Sequence, residues 1–193
     1  MGVVSAQHGW LVVRAPPQEM NAVIRDGFLY TCHHIGLSGT NGTYVGNEYG
    51  TNAGRSAVQW LKLKIETNSL SYDRHGRVFD PATSNTKYYH FPSIAVNCAS
   101  DMLVGFSGSS SNTFISAYYA WKPANGTNTE APVLIHAGVD SFENDRWGDY
   151  SASNVDPSDS TTFWTLQEYA EERIGSDPPD PAWGTWMGKI RKR

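Results

Sequence analysis

Arg-Trp-Gly-Asp-Tyr-Ser-Ala-Ser-Asn-Val-Asp-Pro-Ser-Asp-Ser-Thr-Thr-Phe-Trp-Thr-Leu-Gln-Glu-Tyr, residues 146–169, is the stretch that decides how the rest of the chain is read. Small and apolar residues at Ala152–Val155 run into the turn formers Asp156-Pro157-Ser158-Asp159, and the β-rich run Thr161–Leu166 follows, so two short strands flank a polar turn. The pattern recurs about sixty residues earlier. Ser93-Ile94-Ala95-Val96-Asn97 falls on Ala152–Asp156, and Leu103-Val104-Gly105-Phe106 falls on Phe163–Leu166. Self-similarity at that period is the mark of a repeat architecture.

Composition agrees. Only 18% of the 193 residues are charged, while Gly (18), Pro (10), Tyr (10) and Trp (7) are plentiful, as in β-rich chains with many turns. The one helix-like segment, Leu166–Ile174, reads as strand in its first half and loop in its second. A net charge of −4 argues against a nucleic-acid binder, which needs clustered Lys and Arg; the one basic cluster, Lys189–Arg193, sits at the very end. No apolar run reaches the length of a membrane span. The first eight residues lack the basic and apolar regions of a signal peptide, so either the protein stays in the cell or the chain is a mature or excised piece. Cys32 and Cys98 are too few for a disulfide framework and leave open a single bridge or two free thiols. Asn41-Gly42-Thr43 and Asn125-Gly126-Thr127 match the glycosylation acceptor pattern and mark surface loops.

Taken in order, residues 8–15 form a strand-like run ended by Pro16-Pro17. A hairpin follows, with Asp26-Gly27 between Ala22–Arg25 and Phe28–His34, a strong short-range turn signal. After a loop at 36–54, Ser56–Ile65 and Leu70–Phe79 add two more strands. The same order returns at 92–97, 101–107, 113–121 and 131–137, and again at 150–156, 161–169 and 183–190. The expected fold is therefore all-β, a β-propeller of three four-stranded antiparallel blades at about 20–80, 88–138 and 146–193 in a single domain. The third unit has three strands, and residues 8–15 are expected to complete a blade by supplying the fourth. Three blades do not close a ring, so the chain is expected to be part of a larger propeller or half of a six-bladed one formed by self-association.

Arg146-Trp147-Gly148-Asp149-Tyr150-Ser151, Val155-Asp156-Pro157, Phe163-Trp164, Glu168-Tyr169 and Trp183-Gly184-Thr185-Trp186 resemble a repeat of bacterial secreted proteins with a sialidase-like β-propeller fold, mostly without an assigned activity. Tyr89–Asn97 with Val104–Ser109 and Ala117–Ala120 follow the same pattern. The resemblance covers about 85–190, more weakly 20–80, and implies a secreted or extracellular protein. It does not imply sialidase activity. The Asp-box turn of sialidases lies between outer strands, whereas Asp156–Trp164 falls between inner ones, and beside Arg25 and Arg146 no third arginine is comparably placed.

Asp149 and His90 align just before the inner strands of adjacent units. With Arg146, Trp147 and Tyr89 they make a candidate ligand-binding set for a sugar, aromatic faces packing on the ring and polar groups bonding its hydroxyls. The competing reading has Trp147 packed between blades and Arg146 paired with Asp149. Asp149 and Glu168 are the candidate catalytic carboxylates of a glycoside hydrolase. Asp140, Asn144 and Asp145, in an oxygen-rich run, are calcium candidates without the spacing of a defined calcium loop, and no other cofactor is expected. His33 and His34 alternate faces, so at most one is expected to point inward. The leading expectation is a secreted, non-catalytic module that binds a glycan or an extracellular protein, or serves as a structural interaction surface. The alternative is a carbohydrate-active hydrolase with acidic residues at the channel mouth.

Overall fold

The computed structural model describes residues 2–5, 11–14, 21–38, 43–44, 54–143, 147, 151–175 and 180–192. Among them there is no helix. The strands are β1 (Gly2–Ser5), β2 (Leu11–Arg14), β3 (Asn21–Arg25), β4 (Phe28–Ser38), β5 (Thr43–Tyr44), β6 (Arg55–Ile65), β7 (Leu70–Val78), β8 (Tyr88–Val96), β9 (Met102–Ser110), β10 (Thr113–Lys122), β11 (Val133–His136), β12 (Ala152–Val155), β13 (Phe163–Ile174) and β14 (Asp180–Ile190). Three antiparallel sheets carry the fold: β3-β4-β6-β7 with β5 beside β4, then β8-β9-β10-β11, then β12-β13-β14. Each is a meander in sequence order.

Local chemistry explains the first hairpin. Asp26 and Gly27 have φ of 51° and 78°, the left-handed pair of a type I′ turn whose twist matches the flanking strands. Phe28 and Tyr30 on β4 and Val58 and Trp60 on β6 then stand two residues apart, so each pair shares a face of the sheet. Contrary to the sequence reading, His33 and His34 are both buried, because both faces of β4 are covered.

The second sheet lies between the other two. On one face Val96, Met102, Val104, Phe106 and Tyr118 pack against Tyr30, Cys32, Val58 and Trp60 of the first sheet. On the other, Ala95, Leu103 and Trp121 pack against Phe163 of the third. Strict period-two alternation produces this division, and β9, covered from both sides, is buried at every position.

The first strands of the three sheets meet. The side chain of Asn21 on β3 treats the free edge of β8 as a partner strand: its Nδ2 donates to the Ile94 carbonyl and its Oδ1 accepts from the Ile94 amide, each at 2.9 Å. An edge that would otherwise present bare backbone is thereby occupied. Across the other seam, Ser93 Oγ of β8 lies 2.8 Å from Ser153 Oγ of β12.

Three further sequence expectations are corrected. Leu11–Arg14 does not join the third sheet but pairs with Gly2–Ser5 in a separate two-stranded sheet, while residues 8–10 and 15 lie outside the described residues. The repeat is slipped by one in its second strand. Val96 pairs with Met102 and Val155 with Phe163, so Met102 rather than Leu103 is the counterpart of Phe163, the turn at 156–162 being longer than that at 97–101. The segment 166–174 is strand throughout, because β14 pairs with it as far as Ile174 opposite Asp180.

Both cysteines are free thiols, Cys32 buried and Cys98 exposed in the β8–β9 turn. A thiol reagent should therefore titrate one cysteine rapidly in the native protein and the second only on unfolding. Rapid reaction of both would contradict the burial of β4. A Cβ at Gly105 would stand 2.2 Å from Gln167 Nε2 and 2.3 Å from Thr165 Oγ1, groups that are themselves buried and hydrogen-bonded. Gly105→Ala should cost about 1–3 kcal/mol, as overpacking does, read as a lower midpoint in urea unfolding.

Candidate functional site

Among the described residues, polar and aromatic side chains gather at opposite ends of the strands of the first two sheets. One such place is where β8 begins. Its pairing with β9 shifts between His90 and Ser93, forming a β-bulge in which Phe91 adopts φ 50° and Pro92, with no N–H to give, takes a place on an edge strand. His34 and His90 set their rings edge-on to Phe91 at 5.8 and 5.5 Å.

The predicted ligand residues that the structure describes here are interior ones. Tyr89 lies in the core against Phe106 and Tyr118, with ring centroids 4.9 and 5.8 Å away, and burial pushes its hydroxyl pKa upward. His90 is 1% exposed, and burial together with the neighbouring His34 brings its pKa down to about 3, the Tyr88 backbone acting the other way. Trp147 packs with Ile115 and Ala170, between the second and third sheets, and donates its indole N–H to Ser107 Oγ at 3.3 Å. Ser107 in turn donates to the carbonyl of Glu168, whose side chain is buried. Arg146 and Asp149 lie outside the described residues, so neither the sugar-binding set nor the Asp149–Glu168 carboxylate pair is assembled from what is described.

Of the calcium candidates, Asn144 and Asp145 also lie outside the described residues. Asp140 accepts from the Ser141 amide at 2.6 Å and stands 3.6 Å from Arg173 Nε, while Glu143 lies 3.3 Å from Arg173 Nη2. These carboxylates serve an arginine. Among the described residues no group of three His, Cys, Asp or Glu side chains is placed to hold a metal ion.

The second place is a hollow between the first and second sheets at the hairpin end, with a volume of about 140 Å³. Phe28, Tyr30 and Trp60 supply aromatic walls; Lys62, Arg74 and Lys122 bring positive charge; Asp26 and Ser100 close the side where two turns meet, Ser100 Oγ donating to Asp26 Oδ2 at 3.0 Å. Lys62 Nζ sits 3.6 Å from the Phe28 ring centroid and Lys122 Nζ 5.7 Å from that of Trp60. Asp73 draws Lys62 (3.6 Å) and Arg74 (3.1 Å) together. Sequence reasoning missed this hollow. Its cations come from β6, β7 and β10, and the only local signal was the Lys62-Leu63-Lys64 alternation of a half-exposed strand.

Comparison with family models, with curated proteins and with solved structures found no match to this chain.

The burial of His90 carries a pH dependence. Its pKa in the fold, about 3, lies below the ordinary value of 6.5, so the unfolded chain binds the proton more readily and stability falls as pH drops from about 6.5 towards 3. The loss is at most about 1.4 kcal/mol per pH unit for one proton. His90→Asn should flatten the slope of unfolding free energy between pH 7 and pH 5 relative to the parent, with His34 present in both. Parallel slopes would show that His90 titrates normally.

Proposed function

We propose that this chain is a non-catalytic binding module built from blades of a β-propeller, with a glycan or an extracellular protein as its ligand. The meander order of the sheets, their stacking face to face and the meeting of β3, β8 and β12 support the propeller reading. Stacked four-stranded meanders with adjacent first strands are how propeller blades surround an axis. On this reading the third sheet faces a further blade, from a longer chain or a second copy. Trp183 and Met187, 48% and 59% exposed on β14, are the side chains such a neighbour would cover. Phe106 and Tyr118 are enclosed between the first and second sheets.

The observation that carries the binding reading is the hollow walled by Phe28, Tyr30 and Trp60. Aromatic walls offer apolar faces to a sugar ring, and the flanking Lys, Arg and Asp side chains offer donors and acceptors for its hydroxyls. It is smaller than the roughly 300–1,000 Å³ of sites for drug-sized ligands, so it suits one terminal residue of a chain.

A glycan array run beside a panel of chromogenic glycosides tests this. Binding without turnover is the expected result, weakened in Lys62→Ala and Arg74→Ala, whose side chains reach solvent. Turnover of any glycoside would move the protein to the hydrolase class, and array binding unaffected by either substitution would place the ligand elsewhere.

A further inference from the structure

The hollow contains a cation whose surroundings do not explain it. Lys122 ends β10 and is 7% exposed, a level at which Lys is seldom found without an ionic partner. Its ammonium carries three donors, of which one goes to the Pro123 carbonyl at 3.2 Å. Among the described residues no carboxylate comes within ion-pair range of it. The nearby acids serve other groups. Asp26 accepts from Ser100; Asp73 holds Lys62 and Arg74; Asp101 accepts from the Ala124 amide at 2.8 Å and faces Asn97 Nδ2 at 3.4 Å. Burial, Arg74 and Lys62 all press Lys122 towards losing its proton, and Asp101 opposes them only in part. Lys62 and Arg74, meanwhile, share one carboxylate between two positive charges.

We propose that the hollow is an oxyanion site, and that the ligand it takes is an acidic sugar whose carboxylate or sulfate group meets Lys122, with Lys62 and Arg74 at the rim. This rests on the hollow being the binding site of the module and specifies what that site selects. Desolvated donors on a cation make strong hydrogen bonds to an anion, since the cost of burying the charge has already been met on folding. The rings of Phe28 and Trp60, each with a lysine near its face, keep the cations beside apolar surface on which the rest of a sugar would lie. A neutral sugar would leave the Lys122 charge unanswered, so discrimination against it is built into the site.

The test is amide-resolved NMR titration of the whole chain with glucuronate, glucose 6-sulfate, inorganic sulfate and glucose. Shifts at Lys62, Lys122 and Ala124 are expected with glucuronate or glucose 6-sulfate, weakening as salt is raised, with glucose at least roughly tenfold weaker, the margin of one charge-assisted hydrogen bond. The two acidic sugars tell carboxylate from sulfate, and inorganic sulfate shows whether the anion suffices without the ring. Lys122→Met, which keeps the stem and removes the charge, should lose glucuronate binding while raising the melting temperature, a pairing that a merely structural lysine would not give. If that variant does not fold, Arg74→Gln at the exposed rim should weaken glucuronate several-fold. Glucose binding as tightly as glucuronate in this hollow would overturn the acidic-sugar inference and leave the binding module standing. Shifts confined to another surface, or none with any of the four probes, would overturn both the inference and the assignment of the hollow as the site.

Discussion

The seam between the second and third sheets is held by a buried hydrogen-bonded cluster centred on Gln167. Its Nε2 donates to Ser93 Oγ at 2.9 Å and to Thr165 Oγ1 at 2.8 Å, and its Oε1 accepts from Ser151 Oγ at 2.8 Å. Thr165 Oγ1 lies 2.9 Å from Ser153 Oγ, which reaches back to Ser93. Every group named has a partner, and that is the condition under which a buried polar network adds specificity instead of cost. Gly105 lies against the cluster without a side chain, and only a glycine leaves room there for the amide. Slide β13 by one residue and Gln167 would move to the other face of its sheet, leaving the hydroxyls of Ser93 and Ser151 without their shared partner. The network therefore fixes the register in which the third sheet docks.

The other seam works by a different rule. Between the first and second sheets the contact is oily, with Trp60, Phe106, Met102 and Ile94 fully buried and the rings of Phe106 and Tyr118 stacked 9° from parallel at 6.1 Å. Apolar burial of this kind is strong but tolerant of sliding. Here the Asn21 clip on Ile94 supplies the directionality that packing lacks. One sheet is thus glued on and pinned at the Asn21 amide and the Ser100–Asp26 contact between turns, while the other is pinned at several hydroxyls and glued mainly around Phe163, Leu103 and Trp121. The Phe91 bulge lies where these requirements meet. Β8 must serve both seams at once, and the extra residue after His90 lets the start of the strand turn its side chains independently of Ile94 and Val96.

Much of the fold was legible because it rests on signals of short range. Asp26-Gly27 announced a hairpin, and the alternation at the end of β6 announced a half-exposed strand. The one-residue slip between Leu103 and Met102 was not legible, since turn length decides it and the apolar run at 102–106 tolerates either alignment. The candidate site fared worse. Tyr89, His90 and Trp147 combine polar tips with aromatic bodies, a chemistry that serves an interior as well as a mouth, and only packing distinguishes the two. Lys62, Arg74 and Lys122 are unremarkable residues in the sequence. They become a site because antiparallel pairing brings Lys62 opposite Arg74, and sheet stacking brings Lys122 over Trp60.

The two ends of the stack therefore use buried charge and polarity in opposite senses. At the start of β8, polar groups are neutral and turned inward: His90 holds its uncharged form, and Trp147 gives its N–H to a serine. At the hairpin end, a lysine keeps a charge in a place that disfavours it, although a methionine stem would fill the same space. A fold optimised for stability alone would make the second end like the first. Turns set the difference, because Asp26–Gly27 and Cys98–Ser100 leave the strand ends apart and open a hollow, whereas the bulge at Phe91 packs its own aromatic ring into the corresponding gap. Where backbone geometry leaves space beside a desolvated cation, an anion from outside can supply what the chain does not.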